Sequence, residues 1–381
     1  MKTNHQIIFG NSCNMQEISS EKVNLIVTSP PYPMIEMWDE QFSVLNTEIK
    51  EALQQEDGMR AYFLMNDELN RTWKEVDRVL TSGGIVCINI GDATRKLGKS
   101  FQLYANHSQI ISFFEKMGYQ VLPPIIWRKQ SNKPNKFMGS GMLPPNAYVT
   151  LEHEYILIFR KGSLKKFKDS DKLKRQESAY FWEERNVWFS DVWTDLKGIS
   201  QKMNHKDLRN RSAAYPFELA YRIINMYSIN GDTVLDPFLG TGTTTLAAMC
   251  SARNSIGYEI DGNFEDIIDD RLDEFTKFSR EIIVDRFIKH SSFVEKRYSE
   301  KKEFKHTSLN YGFPVITNQE KNILIPFLDK IEKVSKNKFE VNYKDEIPES
   351  FLGFNESDAV SQKKSIKNAD LSDFIEHKTV S

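Results

Sequence analysis

Short apolar runs alternate with helix-spaced segments through most of the 381 residues. Apart from Asn24 and Asn89, residues 23–27, 85–90 and 234–235 are apolar or β-branched stretches, as expected of strands buried on both faces in a mostly parallel sheet. Residues 5–9 form a further short strand, with Asn11 after its turn. Over 66–80, Leu69, Trp73, Val76 and Leu80 recur at helical spacing, and Gly83-Gly84 supplies a stop. The spacing predicts a helix over 110–117, an antiparallel pair from 120–127 and 154–159, and a helix over 216–227. A helix through Leu246, Ala247 and Ala248, a strand ending at Glu259 and a helix over about 264–278 complete the series. Strands alternating with helices in this way predict a doubly wound α/β sheet. Residues 163–211 have no clean period. Beyond Arg280, the segments 311–316 and 323–334 predict a small appended α/β module, and the polar tail from Glu356 reads as mobile. No internal repeat is visible.

Candidate chemistry sits at two strand ends. Thr28-Ser29-Pro30-Pro31-Tyr32 follows the first long apolar run. Proline fixes its own φ and drives the preceding residue towards extended backbone, so Ser29 and the Pro30 carbonyl form a rigid polar ledge. Such a ledge suits a planar base held by its amino group, with Tyr32 stacked on its face; the bland alternative is a Pro-Pro turn. The second end is Asp236-Pro237-Phe238-Leu239-Gly240-Thr241-Gly242-Thr243, an apolar strand running into a glycine-rich turn and a helix start. Glycine permits close backbone approach, and helix-start N–H groups favour electron-rich ligands. No lysine follows the last glycine, so the phosphate-cradling P-loop signature is missing, and the third glycine of the dinucleotide fingerprint is absent too. Glu259, about twenty residues on at another strand end, is placed to accept ribose hydroxyls. An adenosine-type cofactor is expected.

Ser-Pro-Pro-Tyr early, Asp-Pro-Phe-x-Gly-x-Gly-Thr late and the strand-end Glu resemble the S-adenosylmethionine-dependent DNA amino-methyltransferases. The motif order is that of their circularly permuted β group, and the resemblance spans roughly residues 5 to 275. Residues 82–92, 153–159 and 214–219 resemble further elements of that family. The resemblance implies a seven-stranded, mostly parallel sheet with one antiparallel strand, carrying a target-recognition insertion and a C-terminal appendage. The implied division is a catalytic half over 1–162, recognition region 163–212, cofactor half 213–280, appendage 281–355 and tail 356–381. It implies methyl transfer from S-adenosylmethionine to the exocyclic amino group of a base flipped out of double-stranded DNA. Ser29, Pro30, Pro31 and Tyr32 take the catalytic roles. Asn11, Thr28, Tyr215, Pro216, Asp236, Pro237, Phe238, Gly240, Gly242, Thr243 and Glu259 take the cofactor roles. At Asn11 the family often has Asp; the Asn oxygen still accepts from an adenine amino group, or serves only its own turn. Asp92 is a base-pocket candidate or a cap for the next segment. Serine before Pro-Pro-Tyr points within the family to cytosine N4, with adenine N6 as the alternative. An RNA or protein amino-methyltransferase and a non-catalytic DNA-binding module are the remaining readings.

Composition changes the picture in three places. The net charge of −2 conceals local basic runs. Lys129, Lys133 and Lys136 form one, Lys165, Lys166 and Lys168 lie in another, and Arg209 and Arg211 close a third. Interleaved with Tyr180, Trp182, Trp188 and Trp193, they predict a phosphate-tracking surface, each run alone being equally compatible with a solvated face. Cys13, Cys87 and Cys250 are too scattered for a disulfide framework or zinc site, and no Pro-Cys nucleophile is present. No metal is expected. The start, Met1-Lys2-Thr3-Asn4-His5, lacks a secretory apolar stretch and no run approaches a membrane span. Together these predict a cytoplasmic, nucleoid-associated prokaryotic enzyme without membrane contact. A second copy of the chain and a cognate restriction endonuclease acting on the same site are the partners left open by the resemblance.

Overall fold

The computed structural model describes residues 1–129, 138–196 and 215–344. Its strands are β1 (Lys2–Phe9), β2 (Val23–Thr28), β3 (Leu80–Ile90), β4 (Ala93–Leu97), β5 (Ser100–Tyr104), β6 (Gln120–Arg128), β7 (Met138–Gly139) and β8 (Ala147–Tyr148). There follow β9 (His153–Arg160), β10 (Val192–Trp193), β11 (Thr233–Asp236), β12 (Asn254–Glu259), β13 (His306–Thr307), β14 (Pro314–Val315), β15 (Phe327–Ser335) and β16 (Lys338–Lys344). Ten of them form one sheet in the order β10-β6-β9-β3-β2-β11-β12-β1-β16-β15. The central seven, β6 to β1, are parallel except β9, which runs against both β3 and β6. This is the expected doubly wound sheet with a single reversed strand.

The apolar runs are continuous because both faces of the sheet are covered. Leu25 and Val27 join the core layer under the helices Phe217–Tyr227, Thr243–Cys250 and Phe275–Ser299. Val23 and Ile26 join the opposite layer, under Gly58–Val79 and Asn106–Lys116. Alternation along the strand sends Ile26 to the face opposite Leu25 and Val27, and the register shift between Val23 and Leu25 lets Val23 join the same layer as Ile26.

Several boundaries differ from expectation. The helix predicted over 66–80 begins at Gly58, capped by the Asp57 side chain, which accepts from the Arg60 amide at 3.0 Å. It ends at Val79, four residues before Gly83-Gly84, which lie inside β3. Gly83 has φ +78° and its Cβ would fall 2.8 Å from the Lys165 backbone, so glycine there permits a crossing segment. The helix expected over 264–278 is broken at Glu274 into Glu265–Asp273 and Phe275–Ser299.

The boundary drawn at 280 falls within Phe275–Ser299, and the appendage continues the main sheet. Strand β16 pairs antiparallel with β1, and β15 with β16. The segment 323–334 is therefore largely strand. The described part of the expected recognition region, 163–196, is tied into the same body. Arg286 donates to both Glu184 oxygens at 2.6 and 2.8 Å, and His290 bonds Glu183 at 2.7 Å while stacking on Phe181. Residues 356–381 lie outside the described residues.

Candidate active site

Strands β2 and β11 are direct parallel neighbours, with Leu25 opposite Val234 and Ile26 opposite Leu235. Their carboxyl ends therefore emerge side by side, which is where open α/β sheets bind ligands. Thr28 donates its hydroxyl proton to Asp236 Oδ1 at 2.6 Å, a bond across 208 positions of sequence. Asp236 also accepts from the Phe238 amide at 3.0 Å, the Tyr215 hydroxyl at 3.3 Å and the Thr244 hydroxyl. Burial raises its pKa, opposed by these donors. This carboxylate fastens the ledge strand, the glycine turn and Tyr215 to one point.

Above it lies a cavity of about 490 Å³, within the usual range for a ligand pocket. Asn11, Ser29, Pro30, Pro31, Tyr32, Tyr215, Pro237, Phe238, Gly240, Thr243 and Glu259 all line it. The structure thus brings the two motifs to a single space. Thr28 and Asp236 sit beneath it, fully buried; neither they nor Pro216 and Gly242 are on its wall. Glu259 accepts from the Gly240 amide at 2.7 Å on one oxygen and the Asp261 amide at 2.9 Å on the other. Burial raises its pKa. Each carboxylate oxygen keeps a second acceptor position. Gly240 has φ +54° and a Cβ there would meet nothing, so the turn faces open space. Asn11 Oδ1 accepts from the Cys13 amide at 2.9 Å, the local turn bond of the simpler reading.

The ledge rests on a polar network. Tyr32 donates to Glu154 Oε2 at 2.9 Å and lies 3.1 Å from Ser29 Oγ. Asn89 Nδ2 donates to Glu154 Oε2 at 2.7 Å and to Tyr32 at 2.8 Å. Lys129 Nζ closes the chain on Glu154 Oε1 at 2.8 Å. Asn89 and Glu154 are 3% and 9% exposed. Burial first, and the Glu154 charge second, hold the Tyr32 hydroxyl well above its usual pKa. Neither Asn89 nor Glu154 was singled out from sequence as a site residue. Asn89 is a polar residue inside an otherwise apolar strand run, which is costly unless it is paired, and that is the available signal; Glu154 sits at the polar start of its strand and carries none.

Other contributions were not legible. The short helical segment Glu36–Trp38 and the helix Asp39–Leu45 supply Trp38, Gln41 and Phe42 to the cavity roof. Arg95, on the β4–β5 hairpin, grips Asp39 with two bonds of 2.7 and 2.6 Å. Arg271 supports the glycine turn from behind, donating to Thr241 O at 2.6 Å and to the Thr241 hydroxyl at 2.8 Å. Burial lowers its pKa to about 10. Asp92 accepts from the His107 amide at 3.1 Å, so it caps the helix Asn106–Lys116 and does not line the cavity.

The basic runs are only partly brought to the site. Lys129 stands beside the ledge network. Lys165 is bound at 2.9 and 3.1 Å to Asp232, which precedes β11 at the end of the sheet opposite Asp236. The attraction of Lys165 to this strand-start carboxylate accounts for its placement. Of the interleaved aromatics expected on a phosphate-tracking surface, Trp188 and Trp193 are core residues, Tyr180 is partly buried against them and Trp182 is exposed. Lys133, Lys136, Arg209 and Arg211 lie outside the described residues. Among the described residues no cluster of metal-ligating side chains occurs and no helix is long and apolar enough to cross a membrane.

Comparison with known proteins gives a consistent picture. The sequence profile of the DNA methylase family matches residues 23–270. The chain is 60% identical over 350 residues to the type II methyltransferase M.MthZI of Methanothermobacter thermautotrophicus, covering 91% of this chain and 97% of that one. It is 56% identical over 281 residues to the type II methyltransferase M.MjaI of Methanocaldococcus jannaschii, covering 71% and 91%. Among solved structures, TTHA0409 of Thermus thermophilus, assigned to DNA modification and determined with S-adenosyl-L-methionine, is similar at a TM-score of 0.55. The two are 29% identical, over 72% of this chain and 93% of that one.

Proposed function

The chain belongs to the DNA methylase family, and from that premise we propose that it transfers a methyl group from S-adenosylmethionine to cytosine N4 in duplex DNA. The observation that carries this reading is the opening of the Ser-Pro-Pro-Tyr ledge and the glycine turn into one cavity. Bound there, S-adenosylmethionine supplies an electrophilic methyl group on a sulfonium. Phe238, Gly240, Thr243 and Glu259 would hold it, with Tyr215 and Asn11 at the edges. The fit is supported by the cavity's volume and by the acceptor capacity left on Glu259.

An exocyclic amino nitrogen is a weak nucleophile because its lone pair is delocalised into the ring. Ser29 Oγ and the Pro30 carbonyl accept its two hydrogens, draw it towards tetrahedral geometry and turn the lone pair to the methyl group. The chain's main contribution is positioning, which alone can supply several kcal/mol of barrier lowering, up to ~7–11. Within the family that the chain resembles, serine before Pro-Pro-Tyr goes with cytosine N4, which supports that base over adenine N6, the alternative acceptor. The type II names of the relatives support a role as the modification partner of a restriction endonuclease.

The test is expression in a host lacking DNA methylation, followed by nucleoside mass analysis of its genome. N4-methylcytosine is expected, and it should vanish in Ser29→Ala protein that still binds S-adenosylmethionine in calorimetry. N6-methyladenine would reassign the base; neither product would overturn the proposal.

A further inference from the structure

We infer that Glu154, acting through the Tyr32 hydroxyl, sets the direction of the hydrogen bonds on the ledge and receives the proton released by the reaction. The inference rests on the proposed amino-methyltransferase reading and adds to it a positioning residue outside both motifs.

Donor counting supplies the direction. A carboxylate only accepts, and a tyrosine hydroxyl has one proton. Tyr32 gives that proton to Glu154 Oε2 at 2.9 Å. Its oxygen is then an acceptor, filled by Asn89 Nδ2 at 2.8 Å and, at 3.1 Å, by Ser29 Oγ. With the Tyr32 proton committed, the proton of the Ser29–Tyr32 contact belongs to Ser29. Asn89 Nδ2 makes a longer contact to Ser29 Oγ at 3.4 Å, and the remaining serine acceptor capacity faces the cavity. Ser29 is thereby an acceptor before any base arrives, which is what an incoming amino group requires. Asn89 cannot reverse this arrangement, because only its amide nitrogen can lie 2.7 Å from the Glu154 carboxylate. A lone serine would rotate freely between donating and accepting.

The same atoms form a route out for a proton. The base nitrogen forms a bond to the methyl carbon as the carbon–sulfur bond breaks, its electron pair staying on sulfur. The nitrogen, now cationic, passes one hydrogen to Ser29 Oγ. Ser29 gives its own proton to Tyr32, and Tyr32 gives its proton to Glu154, which ends as a neutral carboxylic acid. Charge and atoms balance: one proton moves from the base to Glu154. Lys129, 45% exposed and 2.8 Å from Glu154 Oε1, lies on the side from which the carboxyl proton can leave to water.

The informative substitution is Glu154→Gln, nearly isosteric. Lys129 would take the amide oxygen at the Oε1 position, leaving the amide nitrogen to face Tyr32. Asn89, whose nitrogen now meets that position, would have to turn, and residue 154 could no longer take a proton from Tyr32, so the route out is cut. We expect kcat on duplex DNA to fall at least about tenfold, towards the 10²–10⁴ of a lost acid–base group. Affinity for S-adenosylmethionine by calorimetry and the melting temperature should be unchanged. Tyr32→Phe, which keeps the ring and removes the hydroxyl, should lose kcat similarly. In that background Glu154→Gln should cost no more than about twofold further, since the route is already cut.

Wild-type kcat in either single variant overturns the inference. So do losses that multiply in the double variant, or a kcat loss matched by an equal loss of cofactor affinity, which would make Glu154 scaffold. Should the Gln protein fail to fold, the Tyr32→Phe kcat alone decides. Wild-type protein that methylates no DNA overturns the proposed function, and this inference with it.

Discussion

A buried histidine shows how individual side chains here are committed by their surroundings. His5 on β1 is enclosed between Thr3 and Ser255, 2.8 Å from each hydroxyl. Burial lowers its pKa from 6.5 to about 3. Between those values the unfolded chain binds a proton that the folded one refuses, so His5 makes stability fall as pH drops through that window. Its favourable neutral form is fully present above pH 6.5. Replacing it by Gln, which is uncharged and can bond both hydroxyls, should flatten the acid limb by up to ~1.4 kcal/mol per pH unit. Urea melts at pH 6, 5 and 4.5 measure that slope. Residue identity made the ledge and the glycine turn readable, since proline and glycine act on their own backbone. Glu154 was not readable in the same way. Its function depends on three partners drawn from positions 32, 89 and 129, and no local pattern announces such a meeting.

At the scale of elements, apolar runs located the central strands because burial on both faces leaves a direct mark on composition. The roof was hidden by the opposite circumstance. Asp39–Leu45 is short and its one buried residue is Phe42, so it carries no strong period. It is held by Arg95 from a hairpin more than fifty positions away. Removing that grip with Arg95→Met should forfeit about 1–3 kcal/mol of charge-assisted bonding and loosen the cover. Binding of S-adenosylmethionine should weaken by up to about tenfold while the core melts as before. Calorimetry together with thermal unfolding separates those effects. Basic runs are hard to read for an equally physical reason: lysines neutralise strand-start carboxylates as readily as phosphates, and sequence does not reveal which is near. Lys165 with Asp232 is that case.

For the molecule as a whole, the C-terminal strands complete the sheet. Phe327, Leu328, Phe339, Val341 and Tyr343 are buried there, and Tyr343 donates to the Met249 carbonyl at 2.7 Å. Five such side chains at about 1.5–3 kcal/mol each match the ~5–15 kcal/mol that stabilises an entire domain. Deleting everything after Lys302 should therefore abolish cooperative unfolding and leave β1 as an aggregation-prone edge. Light scattering and near-ultraviolet circular dichroism would register both. The segment was read from sequence as an appendage because its strand partner lies over three hundred positions earlier.

The Thr28–Asp236 clasp has an implication for how such enzymes are assembled. It joins two half-sites whose separation along the polypeptide is immaterial, because adjacency of strands alone sets their distance. A gene could be re-cut to present the donor half first, or made as two co-expressed pieces that meet through the sheet, and the reacting groups would still face each other.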